Sequence, residues 1–215
     1  MSIAAALAEV TARMPPGVTL IAVSKTQPVE AIREAYAAGQ RHFGENYVQE
    51  WRPKAEALAD LPGLVWHFIG GLQTNKARFL AGRVAWVHTV DRIELARELS
   101  RRCVAAGAGL RVLLEVNLGG EAQKGGCAFS AAPALAEAVR ALPALELAGL
   151  TCIPPPDQEP RPHFRALRAL RDRLGLAELS MGMSADWPAA VEEGATFVRL
   201  GTAIFGARPV RAAGA

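Results

Sequence analysis

Short apolar runs alternate along the chain with longer segments in which apolar positions recur every three or four residues. The first kind reads as buried strands and the second as amphipathic helices. Ser2 to about Met14 is an Ala/Leu-rich helix stopped by Pro15-Pro16-Gly17. Leu20–Val23 is strand one, and a helix over about Val29–Ala38 follows and ends at Gly39. His42-Phe43 is a very short second strand, and its helix covers Asn46 to about Ala59, interrupted or offset by Pro53. Val65–Ile69, Val84–Val87, Arg111–Val116 and Leu145–Leu150 are strands three to six. Between them lie a helix over about Thr74–Ala81, one capped by Asp91 and reaching Ala106, and one capped by Ser130 and reaching Leu142. After the Pro154-Pro155-Pro156 loop, His163–Leu174 puts Phe164, Leu167, Leu170 and Leu174 on one helical face. Glu178–Ser180 is strand seven, Trp187–Glu193 its helix, Thr196–Leu200 strand eight, and Thr202–Phe205 a short helix, with 207–215 a frayed tail.

Eight short strands alternating with helices, with no composition break or linker, predict an α/β chain folded as a single-domain (β/α)8 TIM barrel over residues 1–215, with an extra N-terminal helix. An open doubly wound sheet is the alternative. Against it, no Gly-x-Gly-x-x-Gly follows strand one and no phosphate-loop motif occurs.

Composition narrows the function classes. The 215 residues are 51% hydrophobic and 21% charged with a net charge of +3, which is globular. Basic and acidic residues are spread along the whole length, with no basic block interleaved with aromatics, so no nucleic-acid partner is expected. Cys103, Cys127 and Cys152 are widely spaced and match neither a zinc motif nor a disulfide framework, which suits a reducing cytoplasm. Residues 1–14 lack a signal-peptide pattern, and no apolar run approaches the about 20 residues of a membrane span.

The candidate chemistry gathers at the strand ends. Lys25 stands at the mouth of the apolar strand Leu20-Ile21-Ala22-Val23, where an ammonium needs an anion, water or a covalent partner. In a closed barrel strand one lies beside strand eight, and active sites sit at the C-terminal strand ends. The strand-seven exit, Leu179-Ser180-Met181-Gly182-Met183-Ser184, and the strand-eight exit, Val198-Arg199-Leu200-Gly201-Thr202-Ala203, combine small residues, hydroxyls and an arginine suited to a phosphate. Each stretch taken alone reads as a plain cap or turn before it reads as a binding site. Together with Lys25 they read as an amine beside a phosphate cup, the requirement of a pyridoxal phosphate site. A cofactor-free, aldolase-type lysine is a weaker alternative. His67 and His88 read as hydrogen-bonded core or rim residues, Tyr47 as packing under its loop, and Gln73, Asn75 and Lys76 as capping or binding equally.

These residues resemble the pyridoxal phosphate homeostasis proteins. The resemblance runs through Ala22-Val23-Ser24-Lys25-Thr26, Phe43-Gly44-Glu45-Asn46-Tyr47-Val48-Gln49-Glu50, Trp66-His67-Phe68-Ile69-Gly70 and Leu72-Gln73-Thr74-Asn75-Lys76. It continues in His88-Thr89-Val90-Asp91-Arg92, Glu115-Val116-Asn117, Leu179 to Ser184, and Val198 to Arg208, so it covers nearly the whole chain. It implies a fold-type III barrel like the N-terminal domain of alanine racemases, holding pyridoxal 5'-phosphate (PLP) as a Schiff base. By this resemblance Lys25 is the Schiff-base lysine, Ser180, Met181, Arg199, Gly201 and Thr202 belong to the phosphate-binding stretches, and Asn46 lies near the cofactor. Arg199 meets either the phosphate or the pyridine nitrogen.

The sequence departs from the family at Gly71, where proline is common, at Thr151-Cys152, which replaces a methionine-containing turn, and in the glycine-rich loop around Lys124. Lys124 reads as an exposed loop lysine before a secondary contact. Two function classes stand side by side: a non-catalytic PLP carrier that stores, buffers or delivers the cofactor, and a racemase-like PLP enzyme. Racemisation in this fold draws an acid/base group from a partner's second domain, and the sequence ends at Ala215, so the carrier is expected. The accompanying expectations are transient contact with PLP-dependent apo-enzymes, no membrane partner and a monomer.

Overall fold

The structure, a computed structural model, describes residues 2–121 and 125–206. The chain opens with α1 (Ile3–Ala12), whose Ser2 cap accepts the Ala5 N–H at 3.2 Å. Then come β1 (Thr19–Val23), α2 (Val29–Ala37), β2 (His42–Glu45), α3 (Val48–Ala57) and β3 (Val65–Phe68). A 3-10 turn over Thr74–Lys76 leads into α4 (Ala77–Leu80), followed by β4 (Trp86–Val90), α5 (Ile93–Ala106) and β5 (Leu110–Asn117). The second half holds β6 (Cys127–Ala128), α6 (Ala132–Arg140), β7 (Leu145–Thr151), α7 (Pro160–Arg173), β8 (Glu178–Ser180), α8 (Trp187–Glu192), β9 (Phe197–Leu200) and α9 (Thr202–Phe205).

All strand pairs are parallel, in the order β4-β3-β2-β1-β9-β8-β7-β5, and β4 also pairs with β5, which closes the barrel. The expected TIM barrel with its added N-terminal helix is the fold observed. The two-residue β6 pairs with the end of β5 and lies outside the ring. Strand alternation divides the core in two. Ile21, Trp86, Leu113, Ala148 and Phe197 pack inside the barrel, while their neighbours Leu20, Ala22, Val87, Val112 and Val198 join the helix-facing layer with Ile32, Leu99 and Phe164.

Several boundaries differ from the periodicity. Strand four is shifted onto Trp86–Val90, because the Val84 N–H closes the preceding turn on Leu80 O at 3.1 Å. Neither Asp91 nor Ser130 caps a helix: Arg92 and Ala131 occupy those positions without side-chain caps, and Asp91 pairs with Arg92 at 2.6 Å. Helix α7 starts at Pro160, since prolines in a first turn forfeit no helical hydrogen bond. Helix α3 passes through Pro53 unbroken. Strand β2 runs on through Gly44 and Glu45, and Gly44 is required there: a Cβ would come within 2.9 Å of both Ile21 and Ile69.

Candidate functional site

The turn that carries Lys25 is held from one side by β2 and α3. The Ser24 N–H continues the ladder to Gly44 O at 3.0 Å, and the Ser24 hydroxyl donates to Glu45 Oε1 at 2.7 Å. Lys54 Nζ, on α3, donates to Ser24 O at 2.7 Å and to Glu45 Oε1 at 2.6 Å. Glu45 is fully buried, and its carboxyl is pushed above its ordinary value by burial, opposed by Lys54. One residue past Lys25, Thr26 takes a left-handed φ of 64°, a strain offset by its N–H donating to Glu50 Oε2 at 2.9 Å. Lys25 itself is half-buried.

The ends of β8 and β9 form the adjoining wall. β1 and β9 pair with Ile21 opposite Arg199 and Ala22 opposite Leu200, so the Lys25 turn and the Gly201 turn leave the barrel side by side. A Cβ on Gly201 would sit 3.3 Å from Val23 O. The buried Arg199 donates through NH1 to Ser180 O (2.6 Å), Ser180 Oγ (2.7 Å) and Thr151 Oγ1 (3.1 Å), and through NH2 to Cys152 O (3.0 Å). None of these four partners is a carboxylate; Glu115 and Asp186 act on the guanidinium through space. Burial lowers the Arg199 pKa from its ordinary value, yet the guanidinium keeps its charge at neutral pH. The N–H groups of Thr202 and Ala203, opening α9, have no backbone acceptor among the described residues. Beyond β2, Asn46 Oδ1 is buried without a hydrogen-bond partner. The Asn46 carbonyl lies so close to Gly70 that a Cβ there would be 2.0 Å away, while Thr89 Oγ1 donates to Gly70 O at 2.6 Å.

Below this wall a polar column crosses the barrel interior. His42 Nδ1 lies 2.9 Å from His67 Nε2, His67 Nδ1 2.9 Å from His88 Nε2, and His88 Nδ1 2.9 Å from Ser180 Oγ. His88 is on β4 and Ser180 on β8, strands that are not neighbours in the sheet, so this last bond spans the interior. His67 stacks on Trp86 and meets Phe197 edge-on. Burial drives His67 and His88 well below the ordinary imidazole pKa, aided at His88 by the Arg199 charge.

Residues 2–209 match the family described as alanine racemase, N-terminal domain. A protein of Pseudomonas aeruginosa named pyridoxal phosphate homeostasis protein is 53% identical over 206 residues, covering 94% of this chain and 89% of its own. One of that name from Escherichia coli is 46% identical, covering 91% and 88%. PipY of Synechococcus elongatus, solved with PLP bound, is 43% identical and superposes with a TM-score of 0.90 over 95% of this chain and 100% of its own. The chain belongs to the pyridoxal phosphate homeostasis protein family. A Clostridium difficile alanine racemase, 13% identical with a TM-score of 0.79 over 98% of this chain and 58% of its own, shares the fold.

In this homeostasis-family barrel, the residues singled out from sequence fall into two groups at one rim. Lys25, Arg199, Gly201 and Thr202 lie on or just past β1 and β9, with Asn46 past the neighbouring β2. Ser180 and Met181 are fully buried, and the Ser180 hydroxyl is engaged by Arg199 and His88. Tyr47, expected to pack, is 54% exposed. Lys124 and the tail 207–215 lie outside the described residues. The clamp of Glu45, Glu50 and Lys54 escaped the sequence reading, as did His42. Glu50 and Lys54 are four residues apart on a helix, the spacing of an ordinary surface pair, and only the turn laid over them buries the lysine. Among the described residues, no helix is long and apolar enough to cross a membrane and no His/Cys/Asp/Glu group could hold a metal ion.

Proposed function

We propose that this chain binds PLP through an imine with the Lys25 amine and serves cytoplasmic PLP homeostasis as a monomeric carrier, storing, buffering or delivering the cofactor. The observation that carries this reading is a half-buried lysine in a clamped turn just past β1, beside a strand whose buried guanidinium has no carboxylate among its hydrogen-bond partners in the described residues. Glu115 and Asp186 act on this buried charge through space, but neither is among its hydrogen-bond partners, so an anion or a lone pair in contact would complete it. The residues fit the cofactor in other respects. Asn46 Oδ1 is a buried acceptor awaiting a donor such as a phenolic hydroxyl, and the N–H groups after Gly201 suit phosphate oxygens. When bound, the cofactor supplies an aldehyde with which an amine condenses, releasing water. For its part the protein holds the Lys25 turn rigid and keeps Arg199 as a fixed donor. Three buried free thiols suit a reducing compartment, and relatives named for homeostasis rather than for a reaction support a carrier.

The test is chemical trapping. Protein incubated with PLP and treated with borohydride should carry the reduced adduct on Lys25, located by peptide mass spectrometry, and Lys25→Ala should abolish it. An adduct elsewhere, or protein that takes up no PLP, would refute the assignment. Sustained turnover of D- or L-amino acids would refute the carrier reading.

A further inference from the structure

The reading above uses Arg199 but leaves the three histidines beneath it without a role. A guanidinium can only donate, so Arg199 NH1, 2.7 Å away, takes one lone pair of Ser180 Oγ. The Ser180 proton then needs another acceptor, and His88 Nδ1 at 2.9 Å is the one within reach of Oγ among the described residues. His88 Nδ1 is therefore bare and its proton sits on Nε2. That N–H faces His67 Nδ1 at 2.9 Å, so His67 in turn is protonated on Nε2, which faces His42 Nδ1 at 2.9 Å. One donor direction runs down the column from Ser180 to His42. The opposite direction would bury the hydroxyl proton of Ser180 without an acceptor. A charged ring at any of the three positions would force that opposite direction above it, and the flanking Trp86 and Phe197 with Arg199 overhead disfavour the charge.

We propose that His42, His67 and His88 act as one positioning unit, each uncharged with its proton on Nε2, that commits the Ser180 hydroxyl to His88 so that its oxygen holds Arg199 in place. Ser180 then serves the cofactor site through Arg199. Thr151 completes the arrangement: its hydroxyl donates to Ser180 O at 2.7 Å and accepts Arg199 NH1 at 3.1 Å. The cofactor side of this inference rests on the function proposed above, while the tautomer order rests on the column's geometry alone.

Both are testable on the whole chain. In cofactor-free protein labelled with nitrogen-15 at histidine, long-range proton–nitrogen correlation should show the three column rings with the neutral Nε2–H pattern, the signals of His163 on α7 being assigned by their loss in His163→Gln. A protonated Nδ1 or a doubly protonated ring in the column would overturn the inference. His88→Leu removes the acceptor for Ser180 and should weaken PLP uptake roughly tenfold and shift the absorbance maximum of the bound cofactor. His88→Asn, whose Oδ1 can stand where Nδ1 stood, should restore both. A leucine variant that matches the parent, or an asparagine variant no better than leucine, would overturn the positioning role. If His88→Leu does not fold, the tautomer pattern of the parent protein decides. Parent protein that takes up no PLP counts against the function proposed above, and the tautomer pattern again decides this inference.

Discussion

Lys54→Met probes the clamp under the Lys25 turn. Lys54 is 8% exposed and Glu45 0%, and their charged atoms are 2.6 Å apart. Methionine keeps the apolar stem but removes the charge and the bonds to Glu45 and to Ser24 O. Breaking one side of a buried pair costs about 3–5 kcal/mol, because the remaining charge is left uncompensated. Glu45 would retain the Ser24 hydroxyl at 2.7 Å, while its Oε2 already has no hydrogen-bond partner. In a chain of this length about 1 kcal/mol moves Tm by roughly 2–4 °C, so the expected fall is about 6–20 °C. The pH trend gives a sharper check. Burial already raises the Glu45 carboxyl, and losing Lys54 raises it further. A carboxyl whose folded pKa lies above its unfolded one contributes stability fully present below the unfolded value and lost as pH rises through the folded value. The deficit of Lys54→Met should therefore be smallest near the ordinary glutamate value of about 4.3 and widen as pH rises. Thermal and urea unfolding followed by circular dichroism across pH measure both effects, and adding Glu45→Gln should recover much of the loss. A deficit under about 1 kcal/mol at pH 7.5, the range of an exposed pair, with no pH trend would refute a buried charge clamp.

Two further outcomes follow from close contacts and burial. Gly70→Ala puts a Cβ 2.0 Å from Asn46 O and should lower stability by about 1–3 kcal/mol or more, read as the urea midpoint; an unchanged midpoint would mean the β2 and β3 loops part freely. Burial pushes the Cys127 thiol up to about 11 and the Cys152 thiol up to about 12, so thiol reagents at pH 8 should label the native protein slowly and the urea-unfolded chain quickly. Rapid labelling of native Cys152 would contradict its place behind Arg199.

The barrel was legible because each strand carries its own apolar run and each helix its own stripe. Strand ends were less so. Gly44 and Glu45 do not look like strand residues, and the two residues of β6 carry no periodicity at all. His88 broke the apolar run of β4, so the expected strand stops at Val87, three residues short of the observed end, because a polar side chain inside a barrel reads in sequence like a loop. The same limit applied to the site. Lys25 and Arg199 stood out as charges at apolar strand ends, whereas the groups that hold them are made by neighbours in space. Thr151 and Cys152, noted only as departures from a family pattern, supply a hydroxyl and a carbonyl to Arg199. His42, His67 and His88 are separated by 25 and 21 residues, so only the register of adjoining strands makes them a column.

That column makes positions 42, 67 and 88 a single mutational unit. Replacing one ring strands a buried nitrogen on its neighbour, so each single substitution costs more than the bond it removes. Replacing all three by apolar side chains strands nothing between them and leaves the loss at Ser180 alone. The three single costs should therefore sum to more than the cost of the triple replacement. Drift at any one of these sites meets resistance from the other two, and the barrel interior changes as a set or stays as it is.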